Sequence, residues 1–503
     1  MALAYRPPGV SIEETVTPQV SPLLAANALI GIVGPAQGFV TRTDQFFLGG
    51  NTTPVPLPGL PTGGELQEVN SVKDFINPST PAESGYSLSD DVVISTSNGT
   101  IAAKAGGLLE STGRWVNVSY DYLPADYFSP IRLYDLGSVA SRFGDALDPT
   151  GSTINSHLTY AASLAFENGA DSVVCQPLFV RDTPGDPSTA QTNAGSGDWA
   201  TSSTWSDTLY VLRDIEDINV LVPVVGQGMT GINDGVMDTI FAAVQTHLYF
   251  MAGQDQYIVA ILGEDSTADV AEATKATLQT DAGILRGAYS GAVAEQTVLV
   301  SPSKFKRALP NGNSIYVGGQ YAAAAIAGML ASRPASASLT RKGVNGFIEV
   351  SDYRSANDQN ADAAAGLFVI ENKRGAVQVR HSITVDQSSS AKRELSVVRA
   401  KHRMIESVKD TLDRQIVGNI VADGNAEGFV KNTVVGVLEL LRQQKDLVDY
   451  SGVEARLLSL DPTTMQVRFS YRPAFPLNYI DVVFSIDLSS GTVVSTPSNP
   501  VLA

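Results

Sequence analysis

At 503 residues, 43% of them hydrophobic and 17% charged, the chain has the composition of an ordinary globular protein. It is long enough for about three domains of roughly 150 residues, or for one large core carrying insertions. A formal net charge of −18 excludes the chain-wide basic footprint of a nucleic-acid binder, and the single cysteine, Cys175, excludes an internal disulfide framework and a cysteine-based zinc site. A reducing compartment suits such a chain, and no apolar stretch of signal-peptide type follows Arg6.

The first 22 residues read as an extended arm. Val10 and Ile12 alternate with polar neighbours, and Pro7, Pro8, Pro18 and Pro22 bar a helix. A lone extended segment is unstable, so the arm is expected to pair with a sheet edge of its own chain or of another. Residues 29–33, Leu-Ile-Gly-Ile-Val, form a continuous apolar run closed by Gly34-Pro35, the pattern of a strand buried on both faces. From 46 to 128 the composition turns to Gly, Pro, Ser and Thr with short β-prone runs at 92–94 and 115–120, which predicts a small all-β module inserted into the core.

Residues 131–334 alternate between strand and helix patterns. Strands are predicted at 172–175, 218–225, 257–262 and 297–300, and helices near 151–167, 234–252 and 319–332. In the second helix Val236, Ile240, Val244, Leu248 and Met251 recur at spacings of four and three, one apolar face of an α/β layer. The polar stretch 182–206 reads as an exposed loop. The uninterrupted apolar run 321–331 falls short of the ~18 residues needed to span a bilayer, so no membrane insertion is expected.

The last third predicts a helix over 391–417, with Leu395, Val398, Ile405, Val408, Leu412 and Ile416 on one side. A second follows at 429–447 with Val430, Val434, Val437 and Leu441. Two strands come next: Met465, Val467, Phe469 and Tyr471 alternate with polar residues, and so do Ile480, Val482, Phe484, Ile486 and Leu488. The expected fold class is α/β, α+β overall. Its parts are an arm at 1–22, an α/β core at 23–45 and 129–340, the inserted β-rich module at 46–128, a C-terminal domain of helices then strands at 341–488, and a second arm at 489–503. Net charge is −8 over 1–150, −11 over 151–370, +2 over 371–450 and −1 over 451–503. The basic island consists of Lys392, Arg393, Arg399, Lys401 and Arg403, with Arg442 and Lys445 ending the next helix; it reads either as a solvated face or as a dock for an acidic protein surface.

Catalytic patterns are sparse. Gly226-Gln-Gly228-Met-Thr-Gly231 has the spacing of a dinucleotide-binding turn after a predicted strand, which leaves a cytosolic α/β dinucleotide-binding enzyme as the alternative reading. The acid such a site requires about 20 residues on, at the end of the next strand, is missing: the candidates Glu264 and Asp265 lie 33 and 34 residues past Gly231. The chain has no P-loop, no H-E-x-x-H and no G-x-S-x-G. His157, His247, His381 and His402 lie on separate predicted elements, and the acid pairs Glu13-Glu14 and Asp90-Asp91 read as solvated charge. Neither catalysis nor a cofactor is expected.

Several segments share a pattern. They are Pro8-Gly9-Val10-Ser11-Ile12-Glu13-Glu14, the turn Phe166-Glu167-Asn168-Gly169-Ala170, the strand from Ile218 to Pro223, the Ala-rich run that leads to Arg341-Lys342-Gly343-Val344, the helix start Lys392-Arg393-Glu394-Leu395, and the ending Arg472-Pro473-Ala474-Phe475-Pro476 with the strand from Tyr479 to Asp487. Together they resemble the contractile tail sheath proteins of myovirus-type phages and related injection machines, over 1–45 and 129–503. Ala170 stands where the family's turn has glycine, and the strand after it runs Val173-Val174-Cys175-Gln176-Pro177 rather than to an Arg-Val pair. The segment 46–128 resembles the family's variable outer insertions.

The resemblance implies a structural subunit that polymerises as stacked hexameric rings around a tail tube protein. It would contract without nucleotide to drive the tube through a host envelope, with baseplate and tail terminator proteins as further partners and no direct contact with nucleic acid. It implies a place in the virion tail, assembled in the host cytoplasm; the sheath of a tailocin or another injection device has the same chemistry. In that family the terminal arms add strands to neighbouring subunits, which would give Val10, Ile12, Ile480, Val482, Phe484 and Ile486 that role. C-terminal helices face the tube there, which makes Lys392, Arg393, Arg399, Arg442 and Lys445 candidate tube contacts.

Overall fold

The computed structural model describes residues 28–49, 52–61, 64–75, 83–87, 91–96, 98–107, 109, 113–195, 197–226, 234–264, 272–350, 354–420, 425–458, 461–478, 480, 484–486 and 493–495. The expected N-terminal arm, with Val10 and Ile12, lies outside them. The described residues form two units, one holding those up to 402 and from 474 on, the other 403–473.

In the larger unit the apolar runs become the middle of one eight-stranded sheet. From edge to edge it runs Ala376–His381, Leu367–Lys373, Thr297–Ser301, Val259–Leu262, Ile218–Pro223, Leu29–Gly34, Val173–Pro177 and Ile131–Leu133. The six inner strands run parallel to one another, and the two edge strands are antiparallel to them. Parallel strands need crossovers, and the helices that supply them cover both faces. Ile30, Ile32, Val220, Val222, Val298 and Val300 point to one face, beneath the helices His157–Glu167 and Gly319–Ala331. Leu29, Val33, Leu221, Leu262 and Leu299 point to the other, beneath Asp234–Ala252 and Glu272–Gly287. Ile240, Val244, Leu248 and Met251 are buried as one stripe, as their spacing requires. The first helix starts only at His157, where the Ser156 hydroxyl accepts from Thr159 N–H at 3.3 Å.

The sheet extends past the expected core boundary at 340, because Leu367–Lys373 and Ala376–His381 complete it. Trp205, placed in the stretch read as a loop, is buried on a helix, Ser202–Tyr210, that begins inside that stretch. Between 40 and 123 the chain forms an antiparallel sheet of Val40–Leu48, Arg114–Leu123, Glu65–Phe75 and Glu83–Ser87, beside a smaller sheet of Val55–Pro56, Thr100–Ala103 and Val92–Ser95. Its core holds Phe46, Leu66, Val72, Ile101, Val116 and Tyr120. The Asp44 carboxylate is enclosed there and accepts from Tyr120 Oη at 2.6 Å, Gly59 N at 2.7 Å and Arg42 Nε at 2.9 Å.

The unit 403–473 rests on Met404, Ile405, Val408 and Leu412, on Val434, Val437, Leu438 and Leu441, and on one face of a β-hairpin. The expected helix 391–417 is two helices, Ser390–Arg393 and Leu395–Gln415, broken where Glu394 is extended (φ −76°, ψ 111°). The next, Ala426–Gln443, ends four residues before the expected 447; Lys445 takes φ 65° and a strand begins at Leu447.

Candidate assembly surfaces

The glycine turn is partly occupied by the protein itself. Gly226 has φ 98°, and residues 227–233, with Gly228 and Gly231, lie outside the described residues. The buried Gln320 side chain accepts from Val225 N–H at 2.6 Å and donates to Gly226 O at 3.2 Å, so the end of the strand is tied to the helix Gly319–Ala331. Burial pushes the Cys175 thiol up to about 12, outside the range of a nucleophilic thiolate. His157, His247 and His402 are buried on separate elements. Among the described residues no group of His, Cys, Asp or Glu is placed to hold a metal ion, and no helix is long and apolar enough to cross a membrane.

The basic island is largely neutralised by neighbouring carboxylates. Arg399 is a correction to the set of tube contacts: it is 5% exposed, and its Nη2 donates to Leu330 O at 2.8 Å, so it serves the core. Arg403 is paired with buried Asp446 at 2.6 Å, and Lys401 with Glu295. Lys392 lies 3.7 Å from Asp386, Arg393 lies 3.5 Å from Glu394, and Arg442 lies 2.7 Å from Glu439. Exposed pairs of this kind leave the cation reachable by a second partner. Lys392, Arg442 and Lys445 are exposed, the first in the larger unit and the other two in 403–473.

Open strand edges are the more distinctive feature. Leu447–Leu458 and Asp461–Pro473 pair antiparallel with each other, and no third strand joins them among the described residues. Met465, Val467, Phe469 and Tyr471 are half-buried, alternating with exposed Gln466, Arg468 and Ser470 as their sequence pattern predicts. On the first strand Glu427 Oε1 accepts Leu457 N–H at 2.9 Å, which covers one edge position. The sequence reading missed this first strand.

Among the described residues Phe484–Ile486 forms a strand, and it pairs with Val493–Ser495 of the same chain, inside the stretch read as an arm. Phe484 and Ile486 therefore have an internal strand partner here, and Val482 lies outside the described residues. Ile480 is 75% exposed and Leu477 82%, two apolar side chains left open among the described residues just before that strand. The turn at 168 acts as a clamp: Asn168 Oδ1 accepts from Asn345 N at 3.0 Å, Asn168 Nδ2 donates to Leu164 O at 2.9 Å, and Gly169 holds φ 98°.

Comparison with known proteins gives the geometry its context. No protein-family model matches the chain. The tail sheath protein of Mycobacterium phage Bxz1 is 30% identical over 389 residues, which is 76% of this chain; the aligned part spans 60% of that relative's length. The helical sheath of the anti-feeding prophage in its contracted state superposes with a TM-score of 0.54 at 16% identity, covering 96% of this chain and 100% of that one. The sheath complex of an extracellular contractile injection system, PVC, in its contracted state gives 0.54 at 13% identity, covering 97% and 99%. In sequence the chain is thus similar to a phage tail sheath protein, and its fold is that of the sheath subunits of contractile injection systems.

Proposed function

We propose that the chain is the subunit of a contractile sheath, a structural protein rather than an enzyme, which polymerises around a tail tube and contracts to drive it through a host envelope. The observation that carries this reading is the 30% identity over 389 residues to a phage tail sheath protein, on a fold shared with contracted sheaths. The hairpin of Leu447–Leu458 and Asp461–Pro473 supports it, since a two-stranded sheet that no third strand joins among the described residues is a template for a strand from a neighbour. Val10 and Ile12 of the arm, and the segment from Ile480 to Ile486 once released from its own hairpin, are the strands we assign to that exchange. Lys392, Arg442 and Lys445 are the remaining candidates for contact with the tube. The same chemistry serves a phage tail, a tailocin or another injection device, in a virion tail or its equivalent.

Negative-stain electron microscopy of the concentrated full-length chain tests the reading. Striated hollow tubes are expected. Discrete particles at every concentration, together with dinucleotide binding at the Gly226 turn, would replace it with the enzyme reading.

A further inference from the structure

One cavity of about 320 Å³ lies in the larger unit, walled by Arg341, Arg380, His381, Gln387, Arg393 and Asn478. Three guanidiniums around one space repel one another unless anions lie between them. Two buried carboxylates supply part of that charge. Glu371 accepts from Arg341 Nη1 and from Arg380 Nη1, the latter at 2.8 Å, while Glu394 lies 3.0 Å from His381 Nε2 and 3.5 Å from Arg393 Nη2. Burial works to raise the Glu371 carboxyl, but hydrogen bonds from Gln378 and Arg380 and the two arginine charges hold it below its ordinary range, so it stays ionised. The wall therefore carries one more guanidinium than these carboxylates balance.

Two features set this excess apart from ordinary surface charge. The Arg393 guanidinium comes no nearer to a carboxylate than the 3.5 Å between its Nη2 and Glu394, longer than a charge-assisted hydrogen bond, so it is the least satisfied of the three. Arg341 occupies the left-handed region at φ 64°, held there as its N–H donates to Val379 O at 2.8 Å. Strained non-glycine backbone of this kind is retained where its side chain is positioned for a task. Asn478 Nδ2, fixed 3.1 Å from Glu394 Oε2, holds that carboxylate in place.

We propose that this cavity binds a carboxylate, and that the carboxylate is an acidic side chain of a second copy of this chain. Arg393 and Arg341 supply the forked N–H donors that match a carboxylate. Charge complementarity names the occupant: the chain carries 52 acidic residues against 34 basic ones, so a second copy presents many carboxylates to a site with an excess cation. The second-copy half rests on the sheath reading above; the binding of a carboxylate does not.

The test uses the full-length chain and glutarate, a free mimic of an acidic side chain, with sodium chloride at equal ionic strength as the control. Glutarate is expected to raise the melting temperature of the subunit above the chloride control. Arg393→Gln and Arg341→Gln are each expected to remove most of that shift, while Lys373→Gln, at an exposed cation outside the cavity, keeps it. Arg393→Gln is also expected to raise the protein concentration needed for tube formation at least tenfold. No effect of glutarate beyond chloride, or an equal effect in both arginine variants, overturns the carboxylate site. Glutarate binding lost in Arg393→Gln with tube formation unchanged overturns the second copy as occupant. If the unmodified chain forms no tubes, the sheath reading fails, and with it the second-copy half, while the melting series still decides the carboxylate site.

Discussion

His247 shows what a polar side chain costs when the fold supplies it with no partner. It is 2% exposed on the helix Asp234–Ala252, and neither ring nitrogen has a hydrogen bond. Burial first, and then the charge of Arg213, push its pKa down to about 4. In the unfolded chain the ring titrates near 6.5. Between those values the unfolded state takes up a proton that the folded state refuses. The folded state is thus fully favoured above pH 6.5 and loses stability as pH falls toward 4. A shift of this size corresponds to about 3 kcal/mol. His247→Leu is expected to lose about 2–3 kcal/mol less than the parent between pH 7 and 4.5 in paired urea melts; the carboxylates common to both chains cancel in that difference. Equal losses would show that His247 is protonated or solvated in the folded state. The wide separation of the four histidines was legible in the sequence. The burial of three of them was not, because it depends on which helix faces the sheet lie inward.

At the scale of elements, the close approach of two helices is set by one position. The Ala-rich pattern of Gly319–Ala331 was readable as a helix, but not the role of Gly328, which faces the backbone of Ala165 on the helix His157–Glu167. A Cβ there would stand 2.2 Å from Ala165 O. In an exposed helix glycine to alanine gains about 1 kcal/mol. Here Gly328→Ala is expected instead to cost about 2 kcal/mol, since rigid backbone must move, and chemical denaturation would read it. A neutral or stabilising result would mean that the helices separate freely. Two of the strand stretches that escaped the sequence reading did so for opposite reasons. The first had a usable signal: the apolar run Leu367-Phe368-Val369-Ile370 followed by Arg374-Gly375, whose φ values of 55° and 80° make the two-residue turn that joins Leu367–Lys373 to Ala376–His381. The second had its signal scrambled, because register shifts between Leu447 and Asp449 and between Ser451 and Glu454, with Gly452 at φ 65°, break the alternation of Leu447–Leu458.

Across the whole molecule, the proposed function is legible in the pattern of the chain's ends and not in any constellation of reactive side chains. That follows from physics: a polymer subunit is specified by strand edges and surfaces, which leave only a weak local signature. The fold makes one consequence testable. Leu29–Gly34 lies in the interior of the eight-stranded sheet, paired on both sides with Val173–Pro177 and Ile218–Pro223, so this strand already has both its neighbours. Deleting residues 1–18 is therefore expected to leave a subunit with an unchanged melting temperature. If the arm supplies a strand to a neighbour, the same deletion removes a set of backbone hydrogen bonds worth about 0.5–1.5 kcal/mol net each at every junction of the polymer. Those contributions are small singly, but they recur at each contact, and each subunit also carries a net charge of −18 that opposes association. Tubes are expected to disappear while the subunit stays folded, as read by electron microscopy beside thermal melting of the same sample. Tubes that persist would count against strand exchange through the N-terminal arm. A lowered melting temperature would instead place residues 1–18 within the subunit's own fold.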